Sequence, residues 1–138
     1  MGLREKMAAK KAAKQAKKLA AAQPQWAIDR VYKSAAVLEA LREAGDNETA
    51  VRPIEHTAIF DSRAAADTFT AGLTADMGYT IAQVHTSEDS PAVAVEFHET
   101  SDTQSRSIFD KTVIAEGRVR EAGGEYDGWV TRVVAGDF

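Results

Sequence analysis

Residues 79–99 read YTIAQVHTSEDSPAVAVEFHE. Two alternating runs flank a polar, proline-containing break. Tyr79 to Thr86 is predicted as one strand and Ala92 to Glu99 as a second. Val93, Val95 and Phe97 fall on one face of the second strand, with Ala94, Glu96 and His98 on the other. Ser87-Glu88-Asp89-Ser90-Pro91 supplies the turn, so the segment reads as an antiparallel pair.

On the N-terminal side, Asp61-Ser62 caps a helix running to about Met77, and Gly78 stops it. Its apolar side is Ala65, Ala66, Phe69, Leu73 and Met77. Val51 to Phe60 before it is strand-like, with Pro53 near the start, where proline is tolerated. On the C-terminal side, a polar loop covers Thr100 to Gln104. A helix follows with Ile108, Thr112, Ala115, Val119 and Ala122 in register. Gly117 inside it costs about 1 kcal/mol of helix propensity relative to alanine. Gly123-Gly124 ends it, and Glu125 to Val134 is predicted as the fourth strand. The order β-α-β-β-α-β is that of an α+β, ferredoxin-like sandwich, a four-stranded antiparallel sheet with two helices on one face. Ile54 or Phe60 is expected to share one core with Phe69, Leu73, Val95, Phe97, Ile108 and Val119.

An extra helix precedes this unit. Trp26 to Ala44 places Ile28, Val31, Ala35, Leu38 and Leu41 on one apolar face, with Pro24 at its start and Gly45 at its stop. The first 23 residues are different in kind. They hold seven basic residues against one acid, +6, whereas residues 24–138 hold ten basic and twenty acidic residues, −10. The chain therefore reads as a basic Lys/Ala-rich arm, 1–23, on an acidic α/β domain, 24–138. As a helix the arm gathers Lys6, Lys10, Lys11, Lys14, Lys17 and Lys18 within roughly 140° of arc. The last five are the candidates for contact with RNA or another polyanion, and the opposite face is alanine, too small to dock firmly. The alternative is a flexible or lone solvated helix.

Several chemistries are excluded outright. The chain has no cysteine, hence no disulfide, thiol nucleophile or thiolate-held metal. No apolar run approaches the ~20 residues that span a bilayer, and residues 1–22 lack the apolar stretch of a secretory signal. A cytoplasmic location is expected. His56, His85 and His98 show no metal-ligand spacing. No serine elbow or phosphate-binding glycine loop is present, and no cofactor is expected. Glu125 and Asp127 fall on one face of the last strand, about 7 Å apart by strand rise. Glu55 and His56 must point to opposite faces. The strands carry Glu55, Glu96, Glu99, Glu125 and Asp127 rather than the aromatic and basic residues of an RNA-reading sheet. Gly128 allows a bulge. The alternation places Trp129 with Asp127 on one face and Tyr126 on the other.

Gly45-Asp46 followed by Val51-Arg52-Pro53-Ile54-Glu55-His56 resembles the opening of the RraB family, regulators of ribonuclease E activity. Gly123-Gly124-Glu125-Tyr126-Asp127-Gly128-Trp129 resembles that family's closing strand. Phe60 and the run to Gly78-Tyr79 fit between them, so the likeness covers roughly residues 35–134. It implies a ferredoxin-like protein inhibitor, not an enzyme, that binds an RNase E/G-type endoribonuclease and alters RNA turnover. Glu55, His56, Glu125, Tyr126, Asp127 and Trp129 are the motif residues and partner-binding candidates. The best-known members carry an acidic C-terminal tail; this sequence instead has the basic arm. Two other readings stay open. One is a small enzyme, such as a cofactor-free oxygenase, with His56 or His98 and Trp129 lining a pocket. The other is an RNA-associated protein acting through the lysine arm.

Overall fold

The structure is a computed structural model of the chain, and it describes residues 23–75 and 78–136. The arm expected at 1–23, its lysines included, and the helix position expected for Met77 lie outside the described residues, apart from Gln23. Among the described residues three helices and four strands follow in the order α1 (Gln25–Glu43), β1 (Arg52–Phe60), α2 (Arg63–Thr74), β2 (Thr80–Ser87), β3 (Ser90–Ser101), α3 (Ser105–Glu121) and β4 (Glu125–Val130). The sheet order is β2-β3-β1-β4 and every neighbouring pair is antiparallel. This is the ferredoxin-like arrangement preceded by a helix.

Local chemistry accounts for the element ends. Ser62 Oγ accepts from the Ala65 N–H at 3.2 Å and caps α2. Helices α1 and α3 end alike. Gly45 (φ +84°) and Gly123 (φ +78°) take the left-handed conformation. In each, two N–H groups turn back onto the last helical carbonyls: Gly45 to Arg42 and Asp46 to Leu41, then Gly123 to Arg120 and Gly124 to Val119. Gly124 is needed for a second reason. A Cβ there would lie 2.5 Å from the ring of Phe60, which is fully buried.

The core lies between one sheet face and the helices. Ile54 and Phe60 are both in it, with Phe69, Leu73, Val95, Phe97, Ile108 and Val119 as expected. Aromatic rings form its column: His56 stacks on Phe97 (centroids 5.0 Å), and Phe69 meets both Phe97 (5.3 Å) and Phe60 (4.9 Å).

Three expectations are corrected. Strand β4 stops at Val130, not Val134; beyond it one isolated β-bridge, Asp46 to Ala135, and hydrogen bonds to Pro53, Asp46 and Asn47 hold the chain. Helix α2 stops at Thr74. The buried stripe of α1 is Ala27, Arg30, Ser34, Leu38 and Leu41, whereas Ala35 is exposed and Ile28 and Val31 are half-buried. Helix α1 packs on α3, where Arg30 and Ser34 meet polar partners, Glu116 and Thr112. Gly117 is also explained by this contact: the Trp26 ring lies 3.4 Å from where its Cβ would be.

Candidate functional site

The six motif residues divide between the two faces of the sheet. Strand β1 alternates strictly, so His56 points into the core and Glu55 out. Strand β4 does not alternate. His56 pairs with Trp129 but Ala58 pairs with Tyr126, so β4 has one residue more than β1 over this stretch. Gly128 (φ +103°) absorbs the extra residue. The bulge turns Tyr126 and Trp129 to the same, buried face, correcting the expectation that they point apart. Glu125 and Asp127 remain exposed.

Inside, His56 is fully buried and both ring nitrogens are satisfied. Tyr126 Oη lies 2.5 Å from Nδ1 and Glu99 Oε2 lies 2.9 Å from Nε2. With Nε2–H donating to the carboxylate, Nδ1 accepts from the phenol. Burial pushes the Tyr126 hydroxyl well above its ordinary range; the Arg30 cation opposes this, and the Glu116 and Glu99 carboxylates add to it. The phenol therefore stays a donor. Glu99 follows the alternation of β3 onto the Phe97 face and sits on the core side beside His56, 3.7 Å from Lys111 Nζ at the surface.

A second buried set adjoins the first. Arg30 Nε donates to Glu116 Oε1 at 2.6 Å while its guanidinium lies 4.6 Å over the Tyr126 ring. Arg120 Nε holds the other oxygen of Glu116 at 2.8 Å. Trp129 Nε1 donates to Ser34 Oγ (3.1 Å), which lies 3.2 Å from Thr112 Oγ1. Since the Thr112 hydroxyl donates to the Ile108 carbonyl at 2.7 Å, Ser34 donates onward to Thr112. Polar side chains thus dock α1 and α3 onto β4.

A third cluster gives Asp46 and Arg52 their role. Both side chains are almost completely buried, and Arg52 Nη1 donates to both oxygens of Asp46 at 2.9 and 3.1 Å. Arg52 Nη2 donates to the Asn47 carbonyl at 2.7 Å. Asp46 also accepts from Thr103 Oγ1 (2.6 Å) and the Val134 N–H (2.9 Å). Burial alone would raise the Asp46 pKa; the hydrogen bonds from Thr103, Val134 and Arg52, with the Arg52 charge, outweigh it and hold the carboxyl below its usual value. The cluster ties the α1–β1 loop to the end of the chain.

The motif therefore does two things. His56, Tyr126 and Trp129 are spent on internal hydrogen bonds. Glu55, Glu125 and Asp127 face solvent. The space beneath the sheet, where an enzyme pocket was considered, is filled by His56 and the phenylalanines, and His98 lies on the opposite face. Among the described residues no three His, Asp or Glu side chains group closely enough to hold a metal, and no helix is long and apolar enough to cross a membrane. The residues the sequence reading missed are Arg30, Ser34, Glu99, Thr112 (placed on the helix stripe, without a partner) and Glu116. The signal for α1 was present: positions 27, 30, 34, 38 and 41 also follow helical spacing, with polar residues at two of them.

Residues 32–131 match the family model RraB, described as regulator of ribonuclease activity B. No curated protein matches the chain. The matched range contains β1 to β4, all three helices but the first turns of α1, and all six motif residues.

Proposed function

The chain belongs to the RraB family, and on that premise we propose that it is a protein regulator which binds and inhibits an RNase E/G-type endoribonuclease, modulating RNA turnover in the cytoplasm. It is read as a binding protein, not an enzyme. The observation that carries this is the family match across residues 32–131. The charge distribution supports a mechanism. Residues 24–138 carry −10, so the body competes with RNA for a basic surface and is steered to it by long-range attraction. The lysines of residues 1–23 tune the interaction without providing it.

The test combines a binding measurement with an RNA cleavage assay, using the purified ribonuclease of the host. Cleavage slows as the protein is added. Binding weakens as salt rises, because exposed charges are screened over about 8 Å at physiological ionic strength. Removing residues 1–23 leaves most of the inhibition. A folded protein that neither binds nor inhibits the enzyme at low salt refutes the proposal. Salt-sensitive RNA binding that vanishes with the arm would favour the RNA-associated reading instead.

A further inference from the structure

We propose that the helix-free face of the sheet is the surface that receives the partner, and that it takes a lysine- or arginine-rich protein segment, with Glu55 at its centre. This rests on the reading of the chain as a ribonuclease regulator and specifies which face performs it.

The register lays the face out in rows across the sheet. One row is Thr80, His98, Glu55 and Val130; the next contains Gln83, Glu96 and Thr57; a third is His85, Ala94, Ile59 and Glu125. Asp127 joins it at the β4 bulge. All three helices contribute their buried residues to the core on the opposite side, so nothing among the described residues covers these rows.

Charge decides what fits there. The four strands contain one lysine or arginine between them, Arg52, and it is buried on the other face. Four carboxylates point outward: Glu55, Glu96, Glu125 and Asp127. Glu96 is partly engaged by His85, 3.2 Å away. Among the described residues Glu55 and Asp127 have no ion-pair partner. Two exposed cations, Lys33 and Arg132, border the face at its β4 side.

Shape adds an anchor. Val130, directly paired with Glu55, is 62% exposed. A cleft of about 280 Å³ opens beside it, with Glu55, Thr57 and Asp127 on the sheet side, Trp129 in its lining, and Arg30, Lys33 and Val37 on the α1 side, where Arg30 is already paired with Glu116 and Lys33 is, among the described residues, the free cation at the rim. Gly128 also lines it. The arrangement suits a basic side chain: its aliphatic stem lies on Val130 and its charge meets Glu55 and Asp127. The same carboxylates repel phosphates, so the face selects a basic protein segment over RNA.

The experiment uses the full chain and two charge-reversed variants with equal net charge. One is Glu55→Lys with Glu96→Lys on the open face. The other is Asp67→Lys with Asp110→Lys on the exposed sides of α2 and α3. Binding is measured to the purified RNase E/G-type enzyme and to a ten-residue peptide alternating arginine and alanine, after circular dichroism shows each variant folded. The open-face variant should lose about tenfold or more in affinity for both at low salt, and the helix-side variant less than about threefold. Equal losses in the two variants, or loss confined to the helix side, overturn the assignment. So does tighter binding of a single-stranded RNA than of the peptide by the wild-type chain. If the enzyme is not bound but the peptide distinguishes the variants, the ribonuclease reading fails while the basic-segment surface stands.

Discussion

Replacing Asp46 by asparagine tests whether the Asp46–Arg52 cluster carries the structural weight its geometry implies. The side chains are 3% and 0% exposed, and the carboxylate accepts four hydrogen bonds, two of them from Arg52. The amide keeps the shape and one acceptor oxygen but removes the charge. Arg52 is then a buried cation whose remaining acceptors are uncharged, the Asn47 carbonyl foremost. Removing one partner of a buried pair costs about 3–5 kcal/mol, a large part of the ~5–15 kcal/mol that holds a domain folded. At about 4 °C per kcal/mol for a domain of this size, the melting temperature should fall by roughly 12–20 °C. The loss also has a pH signature. Because the folded-state pKa of Asp46 is depressed, its contribution is fully present above about pH 4, the ordinary aspartate value, and is lost as pH falls through the folded value. Urea unfolding of wild type and variant, followed by circular dichroism from pH 7 down to acid, should show the gap widest at neutral pH and closing below about pH 4. A gap under about 1 kcal/mol at pH 7, the size of an ordinary exposed pair, would refute the reasoning, as would a gap that does not change with pH.

Other substitutions probe the remaining contacts. Tyr126→Phe strips the partner from His56 Nδ1 and should cost about 1–3 kcal/mol by leaving a buried nitrogen unsatisfied; a denaturant midpoint equal to wild type would contradict this. Gly124→Ala drives a Cβ into the Phe60 ring and should cost about 1–3 kcal/mol through forced repacking, read as a lower melting temperature; unchanged melting would show that the ring yields freely. Trp129→Phe removes the donor to Ser34 and should lose about 1 kcal/mol, read as a lower denaturant midpoint; a midpoint equal to wild type would show that the indole N–H bond adds nothing to docking β4.

Much of the fold was legible because it rests on local signals. Alternation in Ala92–Glu99, the Ser62 cap, and the glycines at 45 and 123 each act over a few residues, and together they dictate the β-α-β-β-α-β order. The family likeness was legible for the same reason: its residues are contiguous in two short stretches. The division of labour within the motif was not. A regular strand puts Tyr126 and Trp129 on opposite faces, and only the pairing with β1 reveals that Gly128 forms a bulge and turns both inward. The stripe of α1 was misplaced because Arg30 and Ser34 read as solvent-facing by type. Their burial depends on Glu116, Thr112 and Trp129, which lie 78 to 95 residues away. Alternation puts Glu99 on the Phe97 face, but its partner, His56, is found only in the folded sheet. Local propensity and periodicity determined which segments are helix or strand. Whether a polar side chain is inside or outside was decided by its hydrogen-bond partner, and partners distant in sequence meet only when the tertiary structure brings them together.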